Sequence, residues 1–71
     1  LSLFPNPSKF IIHLGLEEGI AFEAEIYNNL GMRMLTVNNT ESVNIEHFPN
    51  GVYWIKAVQG DEHYLGKFIK N

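Results

Sequence analysis

Histidine is the side chain in this sequence best suited to metal binding or proton transfer, and the chain contains His13, His47 and His63. Zinc sites draw histidine and cysteine ligands from closely spaced positions, because those ligands must converge on one ion. The three histidines lie on different predicted elements, none has a partner two or four residues away, and the chain has no cysteine. Isolated strand and turn histidines explain this pattern better, so the sequence predicts no metal site and no cofactor.

A second candidate for chemistry is the pair Glu23 and Glu25, which share one face of a predicted strand about 7 Å apart. Paired carboxylates at such a distance serve glycosidic hydrolysis. The alternative is a solvated face that keeps the strand soluble, and we favour it because a chain of 71 residues is too small to enclose a substrate cleft. The chain also lacks a Gly-x-Ser-x-Gly turn and a phosphate-binding loop. We therefore expect no enzyme.

Length and charge narrow the class of protein further. The 71 residues form one predicted domain, 1–71, whose 45% hydrophobic content is that of a folded chain. A net charge of -3 gives no basis for nucleic-acid binding. No apolar run approaches the roughly 18 residues of a membrane span, so no transmembrane segment is predicted. Acidic residues dominate positions 10–50, whereas the last five residues contain Lys67 and Lys70 and no acid.

Alternation of apolar and polar residues predicts seven short strands, at residues 1–4, 8–14, 20–28, 32–37, 42–46, 52–58 and 62–70. In the second strand Phe10, Ile12 and Leu14 share one side, and both faces are expected to be partly covered. In the third strand the expected core face is Ile20, Phe22, Ala24 and Ile26. We expect a hairpin turn at 28–31. Turn residues recur between the strands and no useful helical periodicity is present. The predicted fold is all-β, an immunoglobulin-like antiparallel β-sandwich of about seven short strands.

The run after Phe48 combines a turn with the most strongly β-forming segment of the chain. Pro49, Asn50 and Gly51 are typical turn residues, and Tyr53 follows near the start of a strand. In immunoglobulin-like sandwiches a tyrosine at this place turns its hydroxyl back onto upstream main chain. The alternative is an ordinary half-buried strand tyrosine. We favour the corner interpretation.

Four separated stretches of the sequence stand out together: Phe4-Pro5-Asn6-Pro7, Ile26-Tyr27-Asn28-Asn29-Leu30-Gly31, Phe48-Pro49-Asn50-Gly51-Val52-Tyr53 and Lys67-Phe68-Ile69-Lys70. They resemble one family, the C-terminal sorting domain of the type IX (Por) secretion system, type A. Within them the structural signature residues are Pro5, Asn6, Pro7, Gly31, Asn50, Gly51 and Tyr53. The resemblance covers almost the whole chain, and the pieces occur in the family's order and spacing.

The resemblance implies a non-catalytic domain at the C-terminus of a larger exported protein, of which this chain is a piece. Components of the type IX outer-membrane translocon would read the domain, and a sortase-like peptidase would cleave it as the cargo is attached to the surface. The cargo would be secreted or held at the cell surface after transit through the periplasm. Residues Lys67, Phe68, Ile69 and Lys70 are the expected recognition stretch.

Two functions therefore stand side by side. The first is a sorting signal whose last strand, with Lys67, Lys70 and a free end, is recognised at a sheet edge, where strand addition is a common mode of binding. On this view, removing residues 67–71 leaves most of the core in place. The second is an accessory adhesion or carbohydrate-binding module that uses exposed aromatic rings, with Trp54 and Tyr64 as the candidates.

Overall fold

The computed structural model describes residues 1–71, which form seven β-strands and no helix. The strands are β1 (Ser2–Phe4), β2 (Ile11–Gly15), β3 (Phe22–Asn28), β4 (Arg33–Asn38), β5 (Ser42–Asn44), β6 (Gly51–Gln59) and β7 (Glu62–Lys70). No helix is long and apolar enough to cross a membrane. The predicted all-β class and number of strands are confirmed.

The strands form two antiparallel sheets that pack face to face. One sheet has three strands in the order β1-β2-β5, and the other has four in the order β4-β3-β6-β7. The central strands β3 and β6 are rich in β-branched and aromatic residues, which suit a pleated surface covered on its inner face. This arrangement is that of a β-sandwich.

The core lies between the sheets and takes alternate residues from each strand. Eleven buried residues form it: Ile12, Leu14, Phe22, Ala24, Ile26, Val43, Ile45, Tyr53, Ile55, Ala57 and Phe68. Their period of two follows from the strand pleat, which points successive side chains to opposite faces. With no cysteine in the chain, apolar packing rather than a disulfide joins the two sheets.

The expected core position of Ile20 and the expected partial cover of Phe10 are wrong, because their strands begin later than the alternation indicated. Phe10 is 60% exposed and Ile20 is 44% exposed, and each lies just before its strand. Ser8 is drawn away from β2, since its main chain bonds to Ile69 and Asn71. The carbonyl of Ile20 accepts a hydrogen bond from the Gln59 side chain, which holds the loop before β3.

The hairpin between β3 and β4 is confirmed at the predicted place. The Asn28 side chain caps it, since its Oδ1 accepts hydrogen bonds from the main-chain amides of Leu30 and Met32. Gly31 has φ +81°, a left-handed conformation that glycine adopts without steric cost. A bulge follows between Ile26 and Tyr27, where the register of β3 against β4 shifts.

The turn before β6 lies earlier than predicted. Its hydrogen bond joins the Phe48 amide to the Ile45 carbonyl at 3.0 Å, so it spans residues 45–48, ahead of the expected turn residues Pro49, Asn50 and Gly51. The side chain of Asn44 stabilises this turn, because its Oδ1 accepts a hydrogen bond from the Glu46 amide. Gly51 then opens β6 with φ +155°, outside the range that other residues adopt comfortably.

Candidate recognition site at the last strand

The expected recognition stretch Lys67–Lys70 is divided between two faces of β7. Phe68 is fully buried and Lys70 is 7% exposed, whereas Ile69 is 41% exposed and Lys67 also faces solvent. Strand geometry requires this division, since neighbouring residues point to opposite faces. Phe68 belongs to the core, so removing residues 67–71 would take one of its eleven buried residues.

Phe68 ties the last strand to the tyrosine corner. It lies directly opposite Tyr53 across the β6–β7 ladder, and the two rings stack with centroids 5.5 Å apart. Phe48 packs on the same tyrosine at 5.1 Å. The Tyr53 hydroxyl donates a 2.5 Å hydrogen bond to the Pro49 carbonyl, which confirms the corner interpretation. Burial raises the pKa of Tyr53, so the hydroxyl stays protonated and remains a donor.

Replacing Tyr53 with phenylalanine should lower the free energy of unfolding by about 0.5–1.5 kcal/mol, the usual net value of one hydrogen bond. The ring stack with Phe68 is kept, so the loss reports the hydroxyl alone. Chemical denaturation of both proteins measures it. Equal midpoints would show that the bond to Pro49 adds nothing to stability.

The outer edge of β7 is closed at its C-terminal end by residues 6–8, which we call the clasp. The Asn6 side chain accepts from the Ile69 amide at 2.9 Å and donates to the Lys67 carbonyl at 3.2 Å. The Ser8 amide donates to the Ile69 carbonyl at 2.8 Å, and its carbonyl accepts from the Asn71 amide at 2.9 Å. β7 lies at a sheet edge, as expected, but the main-chain groups at its C-terminal end already bond to the clasp.

Local chemistry explains why a side chain takes part in the clasp. Pro5 and Pro7 have no amide hydrogen, so the main chain on either side of Asn6 cannot donate to β7. The amide group of Asn6 offers one donor and one acceptor in their place. The Ser8 hydroxyl donates to the Pro5 carbonyl, which holds the clasp in its bend, and Ser8 is 1% exposed.

Gly66 allows the start of the chain to approach the last strand. A Cβ atom at this position would lie 2.7 Å from Leu3 Cδ1 and 3.1 Å from Leu1 Cδ2. Both leucines are partly buried against the core. Neither Gly66 nor Ser8 was predicted from the sequence to take part in this site. A glycine inside a strand is the available signal for a close approach, and Gly66 is the glycine inside β7.

The exposed half of the recognition stretch joins a largely apolar surface on the outer face of the larger sheet. We call it the outer patch, made of Val52, Trp54, Lys67 and Ile69. Lys67 lies opposite Trp54 and Ile69 opposite Val52. The Lys67 ammonium lies 5.7 Å from the centre of the Trp54 ring, and Trp54 is 39% exposed. Lys67 forms no salt bridge.

The remaining candidates for chemistry lie apart from this surface. Glu25 forms a salt bridge with Arg33 at 3.1 Å, and this guanidinium lowers the pKa of the Glu25 carboxyl. His13 Nδ1 lies 2.8 Å from Ser42 Oγ. No three histidine or acidic side chains are grouped so that they could hold a metal ion. Tyr64 is half-buried and packs against the core, which removes it from any exposed aromatic platform.

Comparison with known families identifies the chain. A family model described as the secretion system C-terminal sorting domain matches residues 2–71. The chain belongs to this family. It is a C-terminal sorting domain of the Por, or type IX, secretion system, and it is a non-catalytic signal. Among curated proteins, none matches the chain significantly.

Membership of the sorting domain family confirms the function and the resemblance derived from the sequence. The type IX secretion machinery recognises such domains, and their cargo is secreted or reaches the cell surface. The sorting domain's Pro-Asn-Pro signature forms most of the clasp, and its Tyr53 forms the corner. Both features hold the last strand, one from the edge and one from the core.

Proposed function

We propose that components of the type IX outer-membrane translocon bind this sorting domain through the outer patch, with Lys67 and Ile69 as the contacts from the last strand. In this proposal the domain is of type A and lies at the end of a longer exported protein, which crosses the periplasm before export. A sortase-like peptidase then cleaves the domain as the cargo is attached to the surface. The family and the four matching stretches support this order of events.

The observation that carries the proposal is the orientation of the last strand. Phe68 is fully buried and Lys70 is 7% exposed, so Lys67 and Ile69 are the side chains of the recognition stretch that are most open to a partner. Around them lie Trp54 and Val52, which make the surface mostly apolar. Lys67 has no acidic partner within the domain. The surface fits a partner that offers apolar contacts and one carboxylate.

The test is export of a reporter fused ahead of residues 1–71 in a host that has the type IX system. The unchanged fusion should reach the surface or the medium. Lys67→Glu reverses the charge of the outer patch, and we expect at least a tenfold loss of exported reporter with accumulation in the periplasm. A tenfold change corresponds to about 1.4 kcal/mol of binding.

Lys9→Glu is the matched control, since Lys9 is also an exposed lysine but lies ahead of β2, away from the outer patch. Its fusion should be exported like the unchanged one. Circular dichroism and resistance to protease must show that both variants fold. A folded Lys67→Glu fusion exported at the unchanged level would contradict a role for Lys67. Equal losses in both variants would point to net charge rather than to the outer patch.

A further inference from the structure

The two edges of the larger sheet differ in how they are covered. β7 is closed by the clasp and by β1, which packs beside it. β4, at the opposite edge, pairs with β3 and approaches no other strand. An open edge presents unpaired amides and carbonyls, and natural proteins usually protect such edges with charge, proline or a covering segment. β4 has a charge at Arg33 and an extra residue, Met34, where its register with β3 shifts, but residues 35–38 carry neither charge nor proline.

The hydrogen-bond pattern shows which groups of β4 face outward. The Asn39 amide donates a hydrogen bond to the Phe22 carbonyl. Hydrogen-bonded residues alternate along an antiparallel pair, so Val37 and Leu35, which lie opposite Ala24 and Ile26, also bond to β3. In an antiparallel ladder the residues between them point their amides and carbonyls the other way. Thr36 therefore presents its amide and carbonyl, and Asn38 its amide, to whatever lies beside β4. The Asn38 carbonyl accepts a hydrogen bond from the Thr40 hydroxyl at 3.2 Å.

The side chains of β4 also suit an apolar, uncharged partner strand. Leu35 and Val37 face the core side but remain only half-buried, at the open seam between the sheets. Residues 34–38 carry no charge, and the strand's one charge, on Arg33, is paired with Glu25. Two domains can therefore approach along this edge although each has a net charge of -3.

We propose that a second copy of this chain occupies the open edge, with the two β4 strands antiparallel about a two-fold axis at Thr36. Thr36 then lies opposite its counterpart, Leu35 opposite Val37, and Met34 opposite Asn38. In this register the amide and carbonyl of each Thr36 face those of the other. The half-buried side chains Leu35 and Val37 of one copy then contact those of the other copy. A slip of one residue would set Leu35 and Val37 against outward-facing side chains.

Two other registers keep the faces matched. With Leu35 opposite itself, Arg33 lies opposite Val37. With Val37 opposite itself, Leu35 lies opposite Asn39, which follows the end of β4 and has φ +56°. Each of these registers leaves one half-buried side chain without an apolar counterpart. A single strand edge is a small interface, below the roughly 1,200 Å² of stable complexes. We therefore expect a weak dimer, with a dissociation constant on the order of 10 μM to 1 mM. The proposal does not depend on translocon binding at the outer patch.

The test is sedimentation equilibrium of the 71-residue chain as its concentration rises through this range. The average mass should rise from 8.1 kDa toward twice that value. Thr36→Lys places two lysines directly opposite each other, and Thr36→Glu does the same with two glutamates. Each variant alone should dimerise at least tenfold more weakly. An equimolar mixture of the two should regain the dimer, because opposite charges then meet.

Thr36 is exposed and its main-chain groups do not bond to β3, so both variants should keep the fold, which circular dichroism checks. Ser2→Lys adds the same charge on exposed β1 and should leave the dimer unchanged. A constant mass of 8.1 kDa at the highest concentration would overturn the proposal. Unchanged dimerisation of either Thr36 variant would also overturn it, and so would a mixture that stays monomeric.

Discussion

Phe68→Ala should lower the free energy of unfolding by about 3–5 kcal/mol, the usual cost of removing a buried aromatic side chain. Phe68 is fully buried, and its ring stacks on Tyr53 at 5.5 Å. Its removal leaves a cavity between the last strand and the corner. A domain of this size has only modest stability, so the variant should be largely unfolded at 37 °C. Denaturant titration followed by circular dichroism measures the loss.

Ile69→Ala is the matched control, because Ile69 is the next residue of the same strand but 41% exposed. Its loss of stability should stay within about 1 kcal/mol. A comparable loss in the two variants would contradict the division of the recognition stretch between an inner and an outer face. The comparison also shows why deletion of residues 67–71 is a poor export test, since it removes a core side chain together with the exposed ones.

Asn6→Asp should lower the free energy of unfolding by about 1–3 kcal/mol at pH 7, because one hydrogen bond is lost and two oxygens are left facing each other. The carboxylate can still accept from the Ile69 amide, but it cannot donate to the Lys67 carbonyl and repels that oxygen. The Ile69 and Asn71 amides should exchange hydrogen faster in the variant, because the clasp opens more often. Denaturation and hydrogen exchange together measure both effects.

Acid should reverse the loss in Asn6→Asp, because a protonated carboxyl can donate to the Lys67 carbonyl. The folded state then favours the protonated form, so the pKa of this introduced carboxyl lies above its unfolded value of about 3.9. The free energy of unfolding of Asn6→Asp therefore falls furthest below that of the unchanged protein at pH values above the folded-state pKa of the introduced carboxyl. The difference shrinks as the pH falls toward the unfolded-state pKa of the same group. Asn29→Asp is the control, since Asn29 is exposed and its side chain makes no hydrogen bond. A deficit that does not change with pH would contradict the role of the Asn6 donor.

The sequence predicted most of the fold because strand alternation and turn residues are local signals. The bounds of the last strand, 62–70, agree with β7 at both ends. The positions of Phe10 and Ile20 were wrong for a physical reason. Alternation continued up to the edges of their strands, but contacts made by Ser8 and Gln59 with distant residues determine where those strands begin.

The candidate site could be located from the sequence but its geometry could not be derived in full. The alternation that orients Phe68 inward is present in the sequence, together with Tyr64 and Gly66 on the same face. The clasp has no local signal, because Asn6 and Ile69 are 63 residues apart. The Pro-Asn-Pro stretch indicates an irregular segment, and only the folded chain shows that its side chain pairs with the last strand.

The clasp also bears on when the domain can fold during synthesis. Its hydrogen bonds join the first eight residues to residues 67–71, and Phe68 completes the core. Contacts between such distant residues form late and make folding slow. A ribosome must therefore finish residues 67–71 before the sandwich can close, so a prematurely terminated copy lacks both its clasp and part of its core. Only a fully translated chain can present the folded signal.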